Sequence, residues 1–129
     1  MMGIAQGNSG VGALSGRDRA RLRIAIETMQ ARLRAPVTVR DLARSAQMSA
    51  SHFNRLFKRF TGYSPMDYLR SMRVQKAREL LADPTLSIKE VAGLSGFGDP
   101  FVFSKTFRRV DGLTPSAYRE ALLAGRPAE

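Results

Sequence analysis

The sequence predicts an all-α protein built from two helix-turn-helix subdomains joined by a long linker helix. Three observations predict it: a motif that recurs after fifty residues, apolar residues at helical spacing, and capping residues where helices would start and stop. Within residues 53–70, six positions are identical at that shift, where ordinary usage gives about one by chance. They are Phe53/Phe103, Phe57/Phe107, Arg59/Arg109, Gly62/Gly112, Pro65/Pro115 and Tyr68/Tyr118.

The repeat extends upstream with a shift of forty-nine residues. Residues 38–43 (TVRDLA) then lie over residues 87–92 (SIKEVA), so the second copy has one extra residue between Ala92 and Phe103. A duplicated element in a basic chain indicates a protein that contacts a periodic partner at two places, and DNA is such a partner.

The first copy predicts three helices. Leu22, Ile26, Met29 and Leu33 recur at helical spacing, which predicts a first helix over about residues 18–33, closed by Pro36. A second helix starts at Thr38, with Asp41 three residues on in a capping-box pattern. A short turn and the N-cap Ser49 lead into a third helix that ends at Gly62. Its predicted buried face is Phe53, Leu56, Phe57 and Phe60.

A long fourth helix follows, and then the pattern returns. Pro65 predicts the first position of the linker helix, which stops before Pro84. A fifth helix opens at Ser87 with Glu90, and a sixth at Asp99 and Pro100. The predicted buried face of the sixth is Phe103, Phe107 and Val110. Gly112 ends it, and a last short helix opens at residues 114–115.

This reading divides the chain into five parts. Residues 1–16, rich in Gly, Ser, Ala and Asn, are expected to be a flexible arm. The other parts are a first helix-turn-helix subdomain (17–64), the linker helix (65–83), a second helix-turn-helix subdomain (84–123) and a frayed tail (124–129).

The composition favours a polyanionic partner. There are 21 Lys and Arg against 11 Asp and Glu, a formal charge of +10, and no cysteine. Without cysteine and with His52 as the single histidine, no metal, cofactor or catalytic residue is predicted, and the chain is not expected to be an enzyme. No apolar run approaches a membrane span, so a cytoplasmic protein without a membrane partner is expected.

In a helix-turn-helix, the second helix lies in the major groove and its N-terminal residues contact base edges. The base-reading candidates of the third helix are Ser51, Asn54 and Arg55, and those of the sixth are Phe101, Val102, Ser104 and Lys105. Arg55 suits guanine and Asn54 suits adenine, whereas Phe101 offers apolar surface to thymine methyl groups or instead packs under the turn. Two different readers predict an asymmetric site.

Phosphate contacts supply affinity rather than sequence choice. The candidates are Arg40, Arg44, His52, Lys58, Arg59, Arg108 and Arg109. His52 is either a phosphate neighbour or an ordinary surface residue. The linker helix spans close to five turns, which would hold the reading helices about 34 Å apart, one turn of duplex.

These residues resemble a known family. The motif Phe53-x-Arg55-x-Phe57-Lys58, the segment Gly62-x-Ser64-Pro65-x-x-Tyr68 and their second copies are similar to the DNA-binding domain of AraC/XylS bacterial transcription regulators. The resemblance covers about residues 17–123. It implies two helix-turn-helix subdomains that bind double-stranded DNA as a monomeric unit, and activation through contact with RNA polymerase. The opening of the sixth helix, residues 99–102, is more apolar than in several family members.

Two other functional classes remain beside a transcription regulator. An enzyme-attached module, as in repair proteins that carry a methyl-accepting cysteine, would need chemistry that this chain lacks. A non-specific nucleoid or RNA-binding protein would not need two different readers. Members of the family commonly carry an effector domain, and no small-molecule site is evident here; the chain is either freestanding or the C-terminal part of a longer regulator.

Overall fold

The computed structural model describes residues 14–125, and this part of the chain contains helices and no strand. The predicted arm, as far as residue 13, and the tail from residue 126 lie outside the described residues. The seven described helices are α1 (Gly16–Ala31), α2 (Val39–Ser45), α3 (Ala50–Thr61), α4 (Pro65–Leu81), α5 (Ile88–Leu94), α6 (Pro100–Asp111) and α7 (Pro115–Ala124). The all-α prediction is confirmed.

The predicted capping residues start and end these helices. The side chains of Thr38 and Ser87 each accept a hydrogen bond from the backbone N–H three residues on. The carboxylates of Asp41 and Glu90 in turn accept from the backbone N–H of Thr38 and Ser87. Gly62 and Gly112 close α3 and α6 in the left-handed conformation, with φ of 86° and 103°. Helix boundaries follow from these local interactions.

The described chain falls into two compact units. The first contains residues 14–31 and Val37–Met66, so it holds α1, α2, α3 and the start of α4. Its three complete helices pack against one another around Leu22, Met29, Leu42, Phe53 and Phe57, all fully buried. The rings of Phe53 and Phe57 lie 5.4 Å apart, and such aromatic contacts fix how α3 is rotated.

The second unit contains Arg32–Pro36 and residues 67–125. Its core combines the C-terminal half of α4 with α5 and α6 through Val74, Ala77, Leu81, Val91, Ala92, Phe103 and Phe107. A row of rings continues from Phe97 through Phe103 and Phe107 to Tyr118, with neighbouring centroids 5.1–5.7 Å apart. This row joins α7 to the core of the unit.

Three details of the sequence prediction are wrong. Helix α1 begins and ends two residues earlier than predicted, and its buried stripe uses Ala25 instead of Ile26 and Leu33. Val110, expected in the buried face of α6, is 42% exposed. In the first unit the equivalent Phe60, also expected to be buried, is half-buried, and the guanidinium of Arg23 lies 5.8 Å from its ring centroid.

The extra residue of the second copy lies in the turn before α6. The backbone N–H of Met48 donates to Ala43, and the N–H of Phe97 makes the equivalent bond to Ala92, at 2.9 Å in both turns. The copies therefore stay in register up to Phe97. Gly98, with φ of 76°, is the additional residue, and Asp99 then caps α6.

Candidate nucleic-acid interface

The first candidate reading surface is the N-terminal half of α3. Ser49 caps the helix by accepting a hydrogen bond from the backbone N–H of His52, and Phe53, Leu56 and Phe57 face the core. The three predicted base-reading residues Ser51, Asn54 and Arg55 are all exposed on the same helix. The buried stripe therefore leaves the predicted reading face open to solvent.

Arg55 has a partner that the sequence analysis did not foresee. Its Nη2 lies 3.0 Å from Nδ1 of His52, three residues earlier on the same helix. The i,i+3 spacing was visible in the sequence, but this spacing alone does not establish a hydrogen bond between an arginine and a histidine. The structure places His52 beside the reading face.

The second candidate reading surface is the N-terminal half of α6. Phe101 is 81% exposed and Val102 is 50% exposed, whereas Ser104 is half-buried and Lys105 is exposed. Phe101 therefore does not pack under the turn, one of its two predicted alternatives. Asp99 holds the start of the helix by accepting from the N–H of Phe101 at 2.8 Å. Phe101 and Val102 together leave adjacent apolar side chains in solvent at the start of the helix, and contiguous apolar exposure of this kind favours a contact surface.

Basic side chains accompany both reading surfaces. The predicted phosphate ligands Arg40, Arg44, Lys58, Arg59, Arg108 and Arg109 are all exposed. Of these, Arg44 lies 3.9 Å from Asp41, a solvent-exposed pair that holds the guanidinium weakly. The six residues lie on the helices of the two helix-turn-helix elements, where the sequence analysis placed them.

Part of this basic surface forms an open groove of about 460 Å³ within the first unit. Arg40 and Arg44 from α2 line it together with Gln47, Met48 and Ser49 of the turn. Gln47 was not among the predicted site residues; it has a φ of 59° and is the one non-glycine residue with positive φ among residues 14–125. Its conformation lets α2 turn directly into α3.

Metal-binding clusters and membrane-spanning helices are absent from the described residues. Between residues 14 and 125, no group of three or more His, Cys, Asp or Glu side chains is placed to hold a metal ion. In the same part of the chain, every helix is too short or too polar to cross a membrane.

Comparisons with known proteins agree with this geometry. A family profile described as "Helix-turn-helix domain" matches residues 42–121. The solved DNA-binding domain of the global transcriptional factor AdpA, in complex with a target DNA, is 37% identical, with a TM-score of 0.79 over 84% of this chain and 98% of that one. An AraC-type transcriptional regulator from Chromobacterium violaceum is 28% identical, with a TM-score of 0.75 over 87% and 100% of the two chains.

Longer regulators match as well. The raffinose operon regulatory protein RafR of Pediococcus pentosaceus is 31% identical over 77% of this chain and 36% of its own length. The transcriptional activator RhaR of Pectobacterium atrosepticum is 36% identical over 82% of this chain and 37% of its own length. The chain spans about a third of the length of the curated relatives it matches.

Proposed function

This chain belongs to the AraC-type helix-turn-helix family, and from that membership we propose that it is a sequence-specific, double-stranded DNA-binding transcription regulator. The family is one of DNA-binding regulators and not a class of enzymes. The observation that carries the proposal is the pair of exposed reading surfaces, one in each helix-turn-helix, opposite the buried phenylalanines of α3 and α6.

The two reading helices enter successive major grooves of an asymmetric promoter site. A reading helix presents its N-terminal side chains to base edges, and α3 and α6 carry different residues at every predicted reading position. Arg55 and Asn54 form hydrogen bonds with purines, whereas Phe101 and Val102 contact thymine methyl groups. The solved complex of the similar AdpA domain with a target DNA supports DNA as the partner.

The proposed roles divide the basic and polar residues into two groups. Base readout is assigned to Ser51, Asn54, Arg55, Phe101, Val102, Ser104 and Lys105. Phosphate contact is assigned to Arg40, Arg44, His52, Lys58, Arg59, Arg108 and Arg109. The groove beside α2 supports the second group, because Arg40 and Arg44 line it together with Ser49 and Ala50 at the N-terminus of α3, an end of the helix that favours an anion.

The surroundings of this unit are proposed from the family. The DNA-binding unit acts as a monomer, in the cytoplasm, with RNA polymerase as its protein partner, and it works alone or as the C-terminal part of a longer effector-responsive regulator. Two unlike readers in one chain support a monomer, because a dimer of single readers would select a palindrome.

The test begins with selection of the preferred site from a random duplex library. Arg55→Ala and Arg59→Ala are then compared on the selected and a scrambled duplex at two salt concentrations. Arg55→Ala should cost about 1–3 kcal/mol on the selected site and relax the preference at one base pair. Arg59→Ala should weaken both duplexes about equally and lower the log-log salt slope by about one.

Three outcomes would contradict the proposal. A palindromic selected site would point to a dimer of single readers. Equal losses on both duplexes for Arg55→Ala would assign Arg55 to phosphate contact instead of base readout. Wild-type binding that is insensitive to salt would exclude DNA as the partner of the basic surface.

A further inference from the structure

We propose that His52 is a positioning residue that orients the guanidinium of Arg55 for base readout. The inference rests on the proposed DNA-binding function, and it adds to the phosphate contact assigned to His52 a role in sequence choice. The carrying observation is the 3.0 Å separation between Arg55 Nη2 and His52 Nδ1 on the solvent face of α3.

The chemistry of the two groups determines the direction of this hydrogen bond. A guanidinium has only donors, so Nδ1 of His52 is the acceptor and carries no proton. The neutral imidazole then has its proton on Nε2, since the bond at one ring nitrogen sets the state of the other. His52 thus accepts from Arg55 at Nδ1 and keeps the N–H at Nε2, which can donate a hydrogen bond to a phosphate oxygen.

Both residues lie on the first two turns of α3. The backbone N–H of His52 donates to the N-cap hydroxyl of Ser49 at 3.3 Å, which places His52 in the first turn of the helix. Arg55 lies one turn further and is exposed. An exposed arginine otherwise samples many rotamers, and a hydrogen bond to the neighbouring imidazole reduces the conformational freedom that is lost when a base is bound.

The second reading helix lacks this arrangement. At the fifty-residue shift, Val102 replaces His52 and Lys105 replaces Arg55. A valine side chain cannot accept a hydrogen bond, so Lys105 has no equivalent acceptor at that position. The positioning role therefore predicts stricter base discrimination in the half-site that α3 contacts than in the half-site that α6 contacts.

Two variants test whether the hydrogen-bond acceptor of His52 matters, or only the bulk of its side chain. His52→Leu retains bulk and removes the acceptor, whereas His52→Asn places a carbonyl oxygen near the position of Nδ1. Binding is measured to the selected duplex, to duplexes with each substitution at the base pair contacted by Arg55, and to a scrambled duplex. Discrimination is the ratio of Kd values for substituted and selected duplexes.

The expected result is a loss of discrimination with rescue. His52→Leu should reduce the ratio at the Arg55 base pair about five- to tenfold, and His52→Asn should restore it to within about twofold of wild type. In an Arg55→Ala background, His52→Leu should leave the ratio unchanged, because the positioned group is absent. Thermal unfolding of each variant checks that α3 is intact.

The result that overturns the proposal is a His52→Leu protein whose ratio equals that of wild type, or one whose loss His52→Asn does not restore. The first outcome would leave His52 with a phosphate contact alone, visible as an equal loss on all duplexes. The second would show that an accepting atom at the position of Nδ1 is not what His52 contributes to discrimination. Failure of the proposed function looks different, since wild-type protein would then bind the selected and scrambled duplexes equally.

Discussion

Arg73 and Arg119 donate to backbone carbonyl groups in the same way: each uses Nε and Nη2 to bind two carbonyl oxygens that are two residues apart. Arg73 binds Leu33 and Ala35 at 3.0 and 2.9 Å, and Arg119 binds Leu81 and Asp83 at 3.0 and 3.1 Å. In both cases the acceptors lie at or just beyond the end of a helix, where carbonyl groups lack helical partners.

The first prediction concerns the stability that Arg73 supplies. Partial burial lowers the pKa of Arg73, but an arginine stays charged at neutral pH and both of its hydrogen bonds are charge-assisted. Arg73→Met keeps the apolar stem of the side chain but removes both hydrogen-bond donors, and it should reduce the free energy of unfolding by about 1.5–3 kcal/mol, measured by urea denaturation.

Lys76→Met on the same helix is the matched control for Arg73→Met. Lys76 is exposed and lies 3.9 Å from Glu79, so its replacement should change stability by less than about 0.5 kcal/mol. Equal effects of the two substitutions would show that the carbonyl bonds of Arg73 contribute nothing beyond a surface charge.

The second prediction uses two glycines that lie three residues apart. Gly96 has φ of 98°, and a Cβ there would overlap the carbonyl oxygen of Leu33 and lie 2.8 Å from Arg73 Nε. Gln47 occupies the equivalent turn position with φ of 59°, so positive φ alone does not require glycine. Glycine is required at position 96 because of this overlap, and Gly96→Ala should reduce the free energy of unfolding by about 1–3 kcal/mol.

Gly93→Ala, three residues earlier, is expected to change stability in the opposite direction. Gly93 lies within α5, and a Cβ there would meet nothing within 4 Å. Alanine should therefore stabilise the protein by about 0.5–1 kcal/mol. Thermal unfolding that shows the same sign for both substitutions would contradict the close approach at Gly96.

The third prediction concerns α4 as a rigid connector. Val74 is fully buried in the core of the second unit, so proline at that position would damage the core as well as the helix. Ser71 is exposed near the middle of α4 and is the better position. Ser71→Pro should disrupt the helix at a cost of about 3 kcal/mol and weaken binding to the selected site more than tenfold.

Ser71→Ala is the control, and it should bind like wild type. Circular dichroism measures whether Ser71→Pro keeps most of its helix content, and a mobility-shift titration measures binding. Wild-type affinity of Ser71→Pro for the full asymmetric site would show that binding does not require a continuous α4.

The fourth prediction concerns the apolar reader in α6. Replacing thymine by uracil in the half-site contacted by this helix removes only the methyl group. The replacement should weaken wild-type binding by about 1 kcal/mol, roughly fivefold, if Phe101 covers that methyl group. Phe101→Ser should bind the thymine and uracil duplexes equally.

Val110→Ser tests whether any exposed apolar residue of α6 behaves in this way. Val110 is 42% exposed at the C-terminal end of the helix, away from the reading turn. This variant should retain the preference for thymine. Loss of the preference in Val110→Ser, or its persistence in Phe101→Ser, would place the methyl contact elsewhere.

The sequence by itself determined where the capped helices start or end and that Phe53, Phe57, Phe103 and Phe107 are buried. Capping residues and left-handed glycines act within one helical turn. The helix ends at Thr38, Ser87, Gly62 and Gly112 therefore depend on local interactions alone. The buried stripes of α3 and α6 were readable for the same reason, because helical periodicity places Phe53 and Phe57, or Phe103 and Phe107, on one side.

Only the tertiary structure decided the features that depend on residues far apart in the chain. Arg73 binds carbonyl groups about forty residues earlier, and the fifty-residue shift does not pair it with Arg119. The exposure of Val110 likewise depends on what neighbouring helices cover. Periodicity tells which residues of a helix share a face, but packing determines how much of that face is buried and which polar groups meet there.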